Sequence, residues 1–229
     1  MSDTYKIAPI ARIRTDFPSK FGIPRQSGIV PELVGRIVFE PEYRRPEAIR
    51  GIEDFSHLWL IWGFSESRRD DWSPTVRPPR LGGNKRVGVF ATRSPFRPNG
   101  LGLSCVKLEK AEITAEDGPI LLVSGVDMLD GTPIYDIKPY IPTSDLKPEA
   151  SEGYTAETKL HKLEVSFEND LEDAVPVELR PALRGILEND PRPGYDDTPE
   201  KRYGLEFADM DVGFTVDGGK LTVVRVDRK

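Results

Sequence analysis

Short apolar segments separated by turn-forming residues dominate the first 140 positions. Seven of these segments are rich in Val, Ile, Leu or aromatic residues and are bounded by glycine, proline or polar clusters, which is typical of β-strands. They are Tyr5–Ile13, Gly35–Phe39, Leu58–Phe64, Arg86–Ala91, Leu101–Ala111, Ile120–Val126 and Ile134–Tyr140. No pattern of helical length alternates with them, which argues against parallel βαβ units. The spacing therefore predicts a closed or nearly closed β-structure.

The pattern changes after the seventh segment. Pro142–Tyr154 is rich in Pro, Ser, Glu and Lys, as expected of a surface linker. Leu160–Phe167 then alternates apolar and polar residues like a strand, whereas Pro176–Asn189 has its apolar residues at helical spacing. Pro181 must either open this helix or kink it, because proline cannot continue the hydrogen-bond ladder.

The tail has a strand pattern again. It predicts strands at Gly204–Asp211, Val212–Val216 and Lys220–Asp227, with a hairpin turn at Asp217–Gly219. We therefore expect a mainly β protein that consists of a β-domain over residues 1–150, a connecting strand and linker over 151–167, and a small α+β domain over 168–229.

Charge is distributed unevenly along the chain. The net charge is −6, but residues 1–107 contain 18 Lys and Arg against 11 Asp and Glu, a net of +7, which leaves −13 for the rest. Such asymmetry is expected when one face binds a polyanion and the remainder keeps the protein soluble. Two unrelated solvated surfaces would produce the same pattern, so charge alone does not identify a nucleic-acid partner.

Composition excludes several other classes. Cys105 is the single cysteine, and His57 and His161 are the two histidines, so neither a disulfide nor a His/Cys metal centre is expected. No apolar run approaches the roughly 18 residues of a membrane span, and the N-terminus does not resemble a signal peptide. We therefore expect a cytoplasmic protein with no metal and no membrane contact.

Candidate binding residues are concentrated in two basic segments. In the first, a strand runs into a proline-stiffened turn that carries Arg93, Arg97 and Asn99, residue types suited to a carboxylate, a phosphate or a base. The alternative is a rigid hairpin in which the arginines cap carbonyl groups. The second segment interleaves an aromatic residue with arginines, which suits an RNA strand but also an ordinary surface loop, and consists of Arg68, Arg69, Trp72, Arg77 and Arg80.

Two common cofactor signatures are missing from the sequence. There is no G-x-G-x-x-G after the first strand and no Walker lysine loop, and Gly100-Leu-Gly102 is too short a match. A dinucleotide-type methyltransferase or a P-loop enzyme is therefore not expected.

A set of motifs resembles one known family in order along nearly the whole chain. The motifs are Pro24–Gln26, Phe55–Trp59, Thr75–Asn84, Gly88–Asn99 (GVFATRSPFRPN), Asp130–Pro133, Asp136–Tyr140, and Asp190–Pro193 with Tyr195. They resemble the TrmO or TsaA-like family, the tRNA threonylcarbamoyladenosine N6-methyltransferases. The resemblance implies a single-sheet β-barrel, S-adenosylmethionine as cofactor, tRNA as substrate and a homodimer with the cofactor near the subunit contact.

The resemblance also implies positions for the cofactor site. They are Pro24, Arg25, Gln26, Phe64, Ser65, Arg93, Leu103, Ser124, Gly125, Val126 and Asp127. Relatives often carry histidine where this chain has Ser65, so a backbone contact is expected there. Phe64 and Leu103 could instead be core residues of any barrel.

The expected reaction needs alignment of the methyl group with the acceptor nitrogen, and removal of a proton from that nitrogen. Asp127, Asp130 and Tyr140 are the candidates for the base or for a group that orients it, although either aspartate could be an ordinary turn residue. Arg93 and Arg97 could hold a carboxylate or phosphate.

Arg192, in the C-terminal motif, joins the arginines of the basic segments as a candidate RNA contact. Two alternatives are a non-catalytic module that binds RNA or an adenosine metabolite, and a methyltransferase with another acceptor.

Overall fold

The computed structural model describes residues 4–66, 72–78, 81, 85–156, 162–192, 198 and 201–229. The strands are β1 (Ala11–Arg14), β2 (Val34–Phe39), β3 (His57–Gly63), β4 (Thr75–Val76), β5 (Val87–Gly88), β6 (Leu101–Thr114), β7 (Gly118–Ser124), β8 (Pro133–Pro139), β9 (Glu164–Phe167), β10 (Tyr203–Phe207), β11 (Met210–Asp217) and β12 (Lys220–Arg228). The α-helices are α1 (Pro142–Asp145) and α2 (Arg180–Glu188). Short 3-10 turns lie at Pro41–Tyr43, Pro46–Ile49, Ile52–Asp54, Val89–Ala91, Gly153–Thr155 and Leu171–Ala174.

Six strands form a closed antiparallel barrel in the order β1-β2-β7-β6-β3-β8. Alternate side chains along each strand point inward, as the two-residue period of a strand requires. Ile13, Ile37, Leu60 and Val106 are among those that are buried in its interior. The predicted single-sheet β-barrel is confirmed.

Two of the predicted barrel segments differ from the structure. Arg86–Ala91 was expected to be a barrel strand, but only Val87–Gly88 is extended, and it pairs with β4 outside the barrel. The chain then turns because the amide and hydroxyl of Thr92 both donate to the Val89 carbonyl. The first strand is also shorter than predicted: it begins at Ala11, and Tyr5 is exposed.

The C-terminal sheet has the order β10-β11-β12-β9. β9 lies in the segment expected to connect the domains, but it pairs in parallel with β12 and so extends this sheet. The single strand predicted over Gly204–Asp211 is divided, because Ala208 takes a left-handed conformation (φ +51°) between β10 and β11. Pro181 lies in the first turn of α2. Backbone N–H groups in a first turn have no acceptor inside the helix, so the missing N–H of proline costs no hydrogen bond there.

The apolar interiors of barrel and C-terminal sheet are continuous. The rings of Phe17 and Phe207 lie 5.6 Å apart, and the Ala208 amide donates to the Asp16 carbonyl at 2.8 Å. Residues 15–30, which follow β1, therefore lie between the two domains. In the part of the chain that the structure describes, no helix is long and apolar enough to cross a membrane.

Candidate active site

Two loops cross in close contact at the end of the barrel where β3 ends and β6 begins. The Gly28 amide donates to the Gly125 carbonyl at 2.8 Å. Gly125 has φ +74°, and a Cβ added there would lie 3.2 Å from the backbone of Gly28. Glycine is thus required both for the conformation and for the close approach. This crossing brings the Pro24–Gln26 motif beside Ser124–Asp127.

Asp127 ends a chain of hydrogen bonds that begins inside the barrel. The indole N–H of Trp62 donates to Ser104 Oγ at 2.9 Å, and this hydroxyl donates to Asp127 Oδ1 at 2.6 Å. The backbone N–H of Ser27 is a further donor to the same carboxyl group. Burial raises the pKa of Asp127 to about 6, even though these bonds and the nearby charge of Arg93 favour the ionised form. The result is a carboxyl group that titrates close to neutral pH.

Arg93 lies at the same place, contributed by the proline-stiffened turn. Its guanidinium donates to Gln26 Oε1, while Gln26 Nε2 donates to the Arg25 carbonyl at 2.5 Å. Gln26 is neutral, and among the described residues no ion pair neutralises the exposed Arg93. A positive and a negative side chain therefore face one region, contributed by motifs far apart in sequence.

The remaining predicted cofactor residues surround this region in different ways. Phe64 is half-buried, with its ring edge against Trp62 at 4.4 Å between centroids, and Ser65 is exposed. Leu103 is 53% exposed on the outer face of β6, which is unusual for leucine. The Ser124 hydroxyl donates to Glu109 at 2.6 Å, and the Val126 side chain lies in the core. Ser124 and Val126 can therefore offer a ligand mainly backbone groups.

The other two predicted catalytic residues have different neighbours. The Asp130 carboxylate accepts the Thr15 amide at 3.1 Å and faces Arg14 Nη1 at 3.4 Å. The Tyr140 ring packs against His57 and Trp59, with its centroid 5.8 Å from that of Trp59. Within the described part of the chain, no hydrogen bond joins either residue to Asp127.

The residues predicted to bind RNA form no single cluster. Arg97 Nη1 donates to the Thr92 carbonyl at 3.0 Å, as in the capping alternative, while Asn99 and Arg77 are exposed. Arg192 is 8% exposed, and Asp190 binds its Nε and Nη2 at 2.8 and 2.9 Å. As it stands, Arg192 therefore stabilises its own turn. Arg68, Arg69 and Arg80 lie outside the described residues.

Trp72 has an exposed aromatic neighbour that the sequence did not single out. Its ring lies 6.3 Å from that of Phe90, and the two side chains are 54% and 73% exposed. Nearby, Arg86 Nη1 donates to Thr75 Oγ1 at 2.8 Å across the β4–β5 pair. The exposed aromatic pair and the arginines Arg77 and Arg86 thus flank the short β4–β5 pair in sequence.

Sequence reasoning also missed Ser27, Trp62 and Ser104 around Asp127. For Ser104 a signal exists: it occupies an inward position of β6, where its neighbours on that face are Gly102 and Val106. A buried hydroxyl in such a place needs a hydrogen-bond partner. The backbone contact of Ser27 depends on the crossing of two distant loops and leaves no comparable pattern.

Comparison with known proteins identifies the family. The model of the tRNA-methyltransferase O N-terminal domain matches residues 12–146, and that of the TrmO C-terminal domain matches residues 157–229. The chain belongs to the TrmO family. The resemblance drawn from the sequence motifs is therefore confirmed, and with it the prediction of a tRNA methyltransferase.

Individual members are similar over most of their length. The tRNA (adenine(37)-N6)-methyltransferase of Escherichia coli (strain K12) is 39% identical over 221 residues, covering 93% of this chain and 94% of that one. The "Probable S-adenosyl-L-methionine-binding protein" of Pyrococcus abyssi is 36% identical over 156 residues, covering 68% and 78%. A crystal structure of TrmO from Pseudomonas aeruginosa matches with a TM-score of 0.79 at 32% identity, covering 100% and 99%.

Proposed function

We propose that this protein transfers a methyl group from S-adenosylmethionine to N6 of threonylcarbamoyladenosine at position 37 of tRNA, next to the anticodon. Family membership and the name of the Escherichia coli relative support adenine N6 as the target. The structural observation that carries the proposal is the Asp127 carboxyl group, held by Ser104 and Ser27 beside Arg93.

The residues at the loop crossing fit S-adenosylmethionine in their chemistry. The cofactor combines a carboxylate, an ammonium, a sulfonium and an adenine ring. Arg93 offers the positive charge that a carboxylate needs, Asp127 the negative charge that suits a cation, and Phe64 and Leu103 an apolar surface for a ring. When bound, the cofactor supplies a methyl group that is already attached to a good leaving group.

In this proposal Asp127 is the general base. The acceptor nitrogen is a poor nucleophile, because its lone pair is delocalised into the purine ring and the adjoining carbonyl. Transfer of its proton to Asp127 as the new N–C bond forms leaves a neutral methylated base. A pKa of about 6 keeps most of the carboxyl group ionised at pH 7 while leaving it basic enough to accept a proton. Asp130 and Tyr140 remain as alternative groups for orienting the acceptor.

Arginine recognition of the threonyl carboxylate would explain a requirement for the modified base. Because Arg93 faces the carboxylate of the cofactor in this proposal, Arg97 is the candidate for the threonyl carboxylate; Arg97 Nη1 donates to the Thr92 carbonyl, and the guanidinium has further N–H groups to offer. An unmodified adenosine would leave the arginine without its partner, and such losses discriminate strongly between substrates. We therefore propose that tRNA without threonylcarbamoyladenosine is not methylated.

We propose that RNA contacts the described part of the basic segments. The contacts would be made by the exposed Trp72–Phe90 pair and by the neighbouring Arg77 and Arg86. Unpaired bases stack on aromatic side chains, and arginine neutralises the phosphates. The net charge of +7 over residues 1–107 suits the same partner.

We further propose a cytoplasmic homodimer with the cofactor site near the subunit contact. Sedimentation at decreasing concentration tests the dimer.

The test of the reaction is methyl transfer from labelled S-adenosylmethionine to total tRNA from cells that can or cannot install threonylcarbamoyladenosine. We expect label in the modified tRNA alone. An Asp127→Asn variant should lower kcat by about 10²- to 10⁴-fold, the usual contribution of a general base. Asp217→Asn, at the exposed β11–β12 turn, is the matched control.

Each alternative has its own outcome. Label in neither tRNA, despite binding of S-adenosylhomocysteine, indicates another acceptor. Absence of thermal stabilisation by that product would favour a non-catalytic RNA-binding module. Equal label in both tRNAs would disprove the requirement for the threonylcarbamoyl group.

A further inference from the structure

We propose that the C-terminal domain holds the cofactor loop, residues 22–30, in its binding conformation, and that Gly22, Val30 and Gly185 are positioning residues for the cofactor site. This inference rests on the proposed function, because it takes the crossing of this loop with Ser124–Asp127 to be the cofactor site. It assigns to the C-terminal domain a role in cofactor binding.

The start of the cofactor loop is packed against β10. Gly22 has φ +90°, and a Cβ added there would lie 2.1 Å from Leu205 Cδ1. Leu205 is fully buried in the C-terminal sheet. A larger residue at position 22 would be strained at this φ, and it would force either the loop or the Leu205 side chain to shift.

The end of the loop is packed against α2. A Cβ on Gly185 would lie 2.7 Å from Val30 Cγ1, closer than carbon atoms approach one another. Val30 is 1% exposed, and its branched side chain has little rotational freedom. The loop is therefore held at both ends by close contacts to the C-terminal domain.

Between these ends the loop contacts both domains. On one side Arg25 Nη2 donates to the Arg192 carbonyl at 3.3 Å. On the other side Gln26 accepts from Arg93, the Ser27 backbone donates to Asp127, and Gly28 donates to Gly125. A shift of the loop relative to α2 would therefore change the contacts of Asp127 and Arg93 directly.

The structure also leaves room for such a shift. A cavity of about 40 Å³ lies between the loop and α2, lined by Arg25, Val30 and Ile186 among others. A Cβ on Gly185 would push Val30 away from the helix, and the incompletely filled space beside this contact leaves room for the Val30 segment to shift sideways along α2 while the helix stays folded.

The experiment measures binding of S-adenosylhomocysteine by calorimetry to the wild type, Gly185→Ala, Val30→Ala and the double variant. Alanine favours a helix interior over glycine, so Gly185→Ala does not weaken α2 itself. Gly219→Ala is the matched control, because an added Cβ there has no heavy atom within 4 Å. Hydrogen exchange of the Gly28 amide, which bonds to Gly125, reports the position of the loop directly.

We expect Gly185→Ala to weaken binding by about tenfold and to speed exchange at Gly28, while Gly219→Ala changes neither. Because Val30→Ala removes the clashing methyl group, the double variant should bind within about twofold of Val30→Ala alone. A Gly185→Ala variant that binds as tightly as the wild type overturns the inference, and so does a double variant that binds several-fold more weakly than Val30→Ala alone. Wild-type protein that binds no S-adenosylhomocysteine contradicts the proposed function instead.

Discussion

At the scale of single residues, opposing effects determine the proton affinity of Asp127. Burial disfavours its charged form, while Ser104, Ser27 and Arg93 favour it, and burial has the larger effect. Motif resemblance named Asp127 and Arg93, but it did not reveal this balance. Burial and hydrogen bonding depend on segments that only the fold brings together.

The raised pKa of Asp127 predicts a pH dependence of stability. Between about pH 4 and 6 the unfolded chain has lost this proton and the folded chain retains it, so the free energy of unfolding falls as pH rises. The loss reaches up to about 3 kcal/mol above pH 6 and is absent below pH 4. Chemical unfolding of wild type and Asp127→Asn across this range checks it. A stability difference between the two that does not change with pH would contradict the assigned pKa.

Ser104→Ala should raise the pKa of Asp127 further, since it removes a hydrogen bond to the charged form. The rise of kcat with pH then moves to higher pH. The Ser104→Ala substitution also leaves the buried Trp62 N–H without its acceptor, which should lower the free energy of unfolding by about 1–3 kcal/mol. Trp62→Phe is the control, because it keeps the Ser104–Asp127 bond. If both variants shift the pH profile equally, Ser104 is not acting through Asp127.

Side-chain direction explains why some predicted contacts have other partners. Arg97 and Arg192 were chosen for residue type and motif, yet one donates to the Thr92 carbonyl and the other pairs with Asp190. The exposed Phe90 lies in a segment, Arg86–Ala91, whose apolar residues predicted a strand of the barrel. Residue type indicates what a side chain can bind, while the local backbone decides what it faces.

At the scale of elements, the packing of β3 against β6 near the site depends on one cross-strand residue pair, Trp62 and Gly102. Trp62 pairs in register with Gly102, and a Cβ on Gly102 would lie 2.3 Å from the indole ring. The glycine therefore makes room for the ring whose N–H bonds to Ser104. Apolar composition and turn-forming boundaries predicted both strands within a few residues, but the need for glycine opposite tryptophan follows only from their register.

Gly102→Ala should accordingly lower the free energy of unfolding by about 1–3 kcal/mol through overpacking. Gly204→Ala on β10 is the matched control, since its added Cβ would make an ordinary contact of 3.6 Å with Asp211. Urea unfolding of both variants measures the difference. Equal stability of the two would show that the Trp62 ring moves freely, against the packing described here.

The elements that the sequence mispredicted share a physical cause. Arg86–Ala91 and Gly204–Asp211 have strand composition throughout, but each contains a local turn, at Val89–Thr92 and at Ala208. Hydrogen bonds to one carbonyl make the first turn, and a left-handed alanine makes the second. The first turn contains no residue characteristic of turns, and in the second Asp209 is the single such residue.

At the scale of the whole molecule, the basic N-terminal half predicts salt-sensitive RNA binding. Each phosphate contact releases counterions, so Arg77→Ala should reduce the slope of log affinity against log salt by roughly one unit. Arg228→Ala, exposed in the acidic half, is the control. Filter binding of tRNA at several salt concentrations checks the prediction. An unchanged slope for Arg77→Ala would show that Arg77 does not contact an RNA phosphate.

The docking of the two domains was beyond the sequence analysis. The density of short apolar segments predicted a barrel, and the helical spacing of Pro176–Asn189 followed by strand-like segments predicted an α+β unit, because these patterns are local in sequence. The contact of Phe17 with Phe207, and of Val30 with Gly185, joins residues at opposite ends of the chain. Such pairs produce no local period, so only the folded structure shows that the cofactor loop belongs to both domains.

The parallel pairing of β9 with β12 has a consequence for biosynthesis. All six barrel strands are synthesised before β9. The strand with which β9 pairs, β12, is complete only when Lys220–Arg228 has been translated. During this interval α2 and β10, which contact residues 22–30, belong to a sheet that still lacks its inner strand β12. On our proposal that the C-terminal domain supports this loop, a chain that ends before residue 220 contains all six barrel strands but is expected to bind S-adenosylhomocysteine more weakly than the full-length protein.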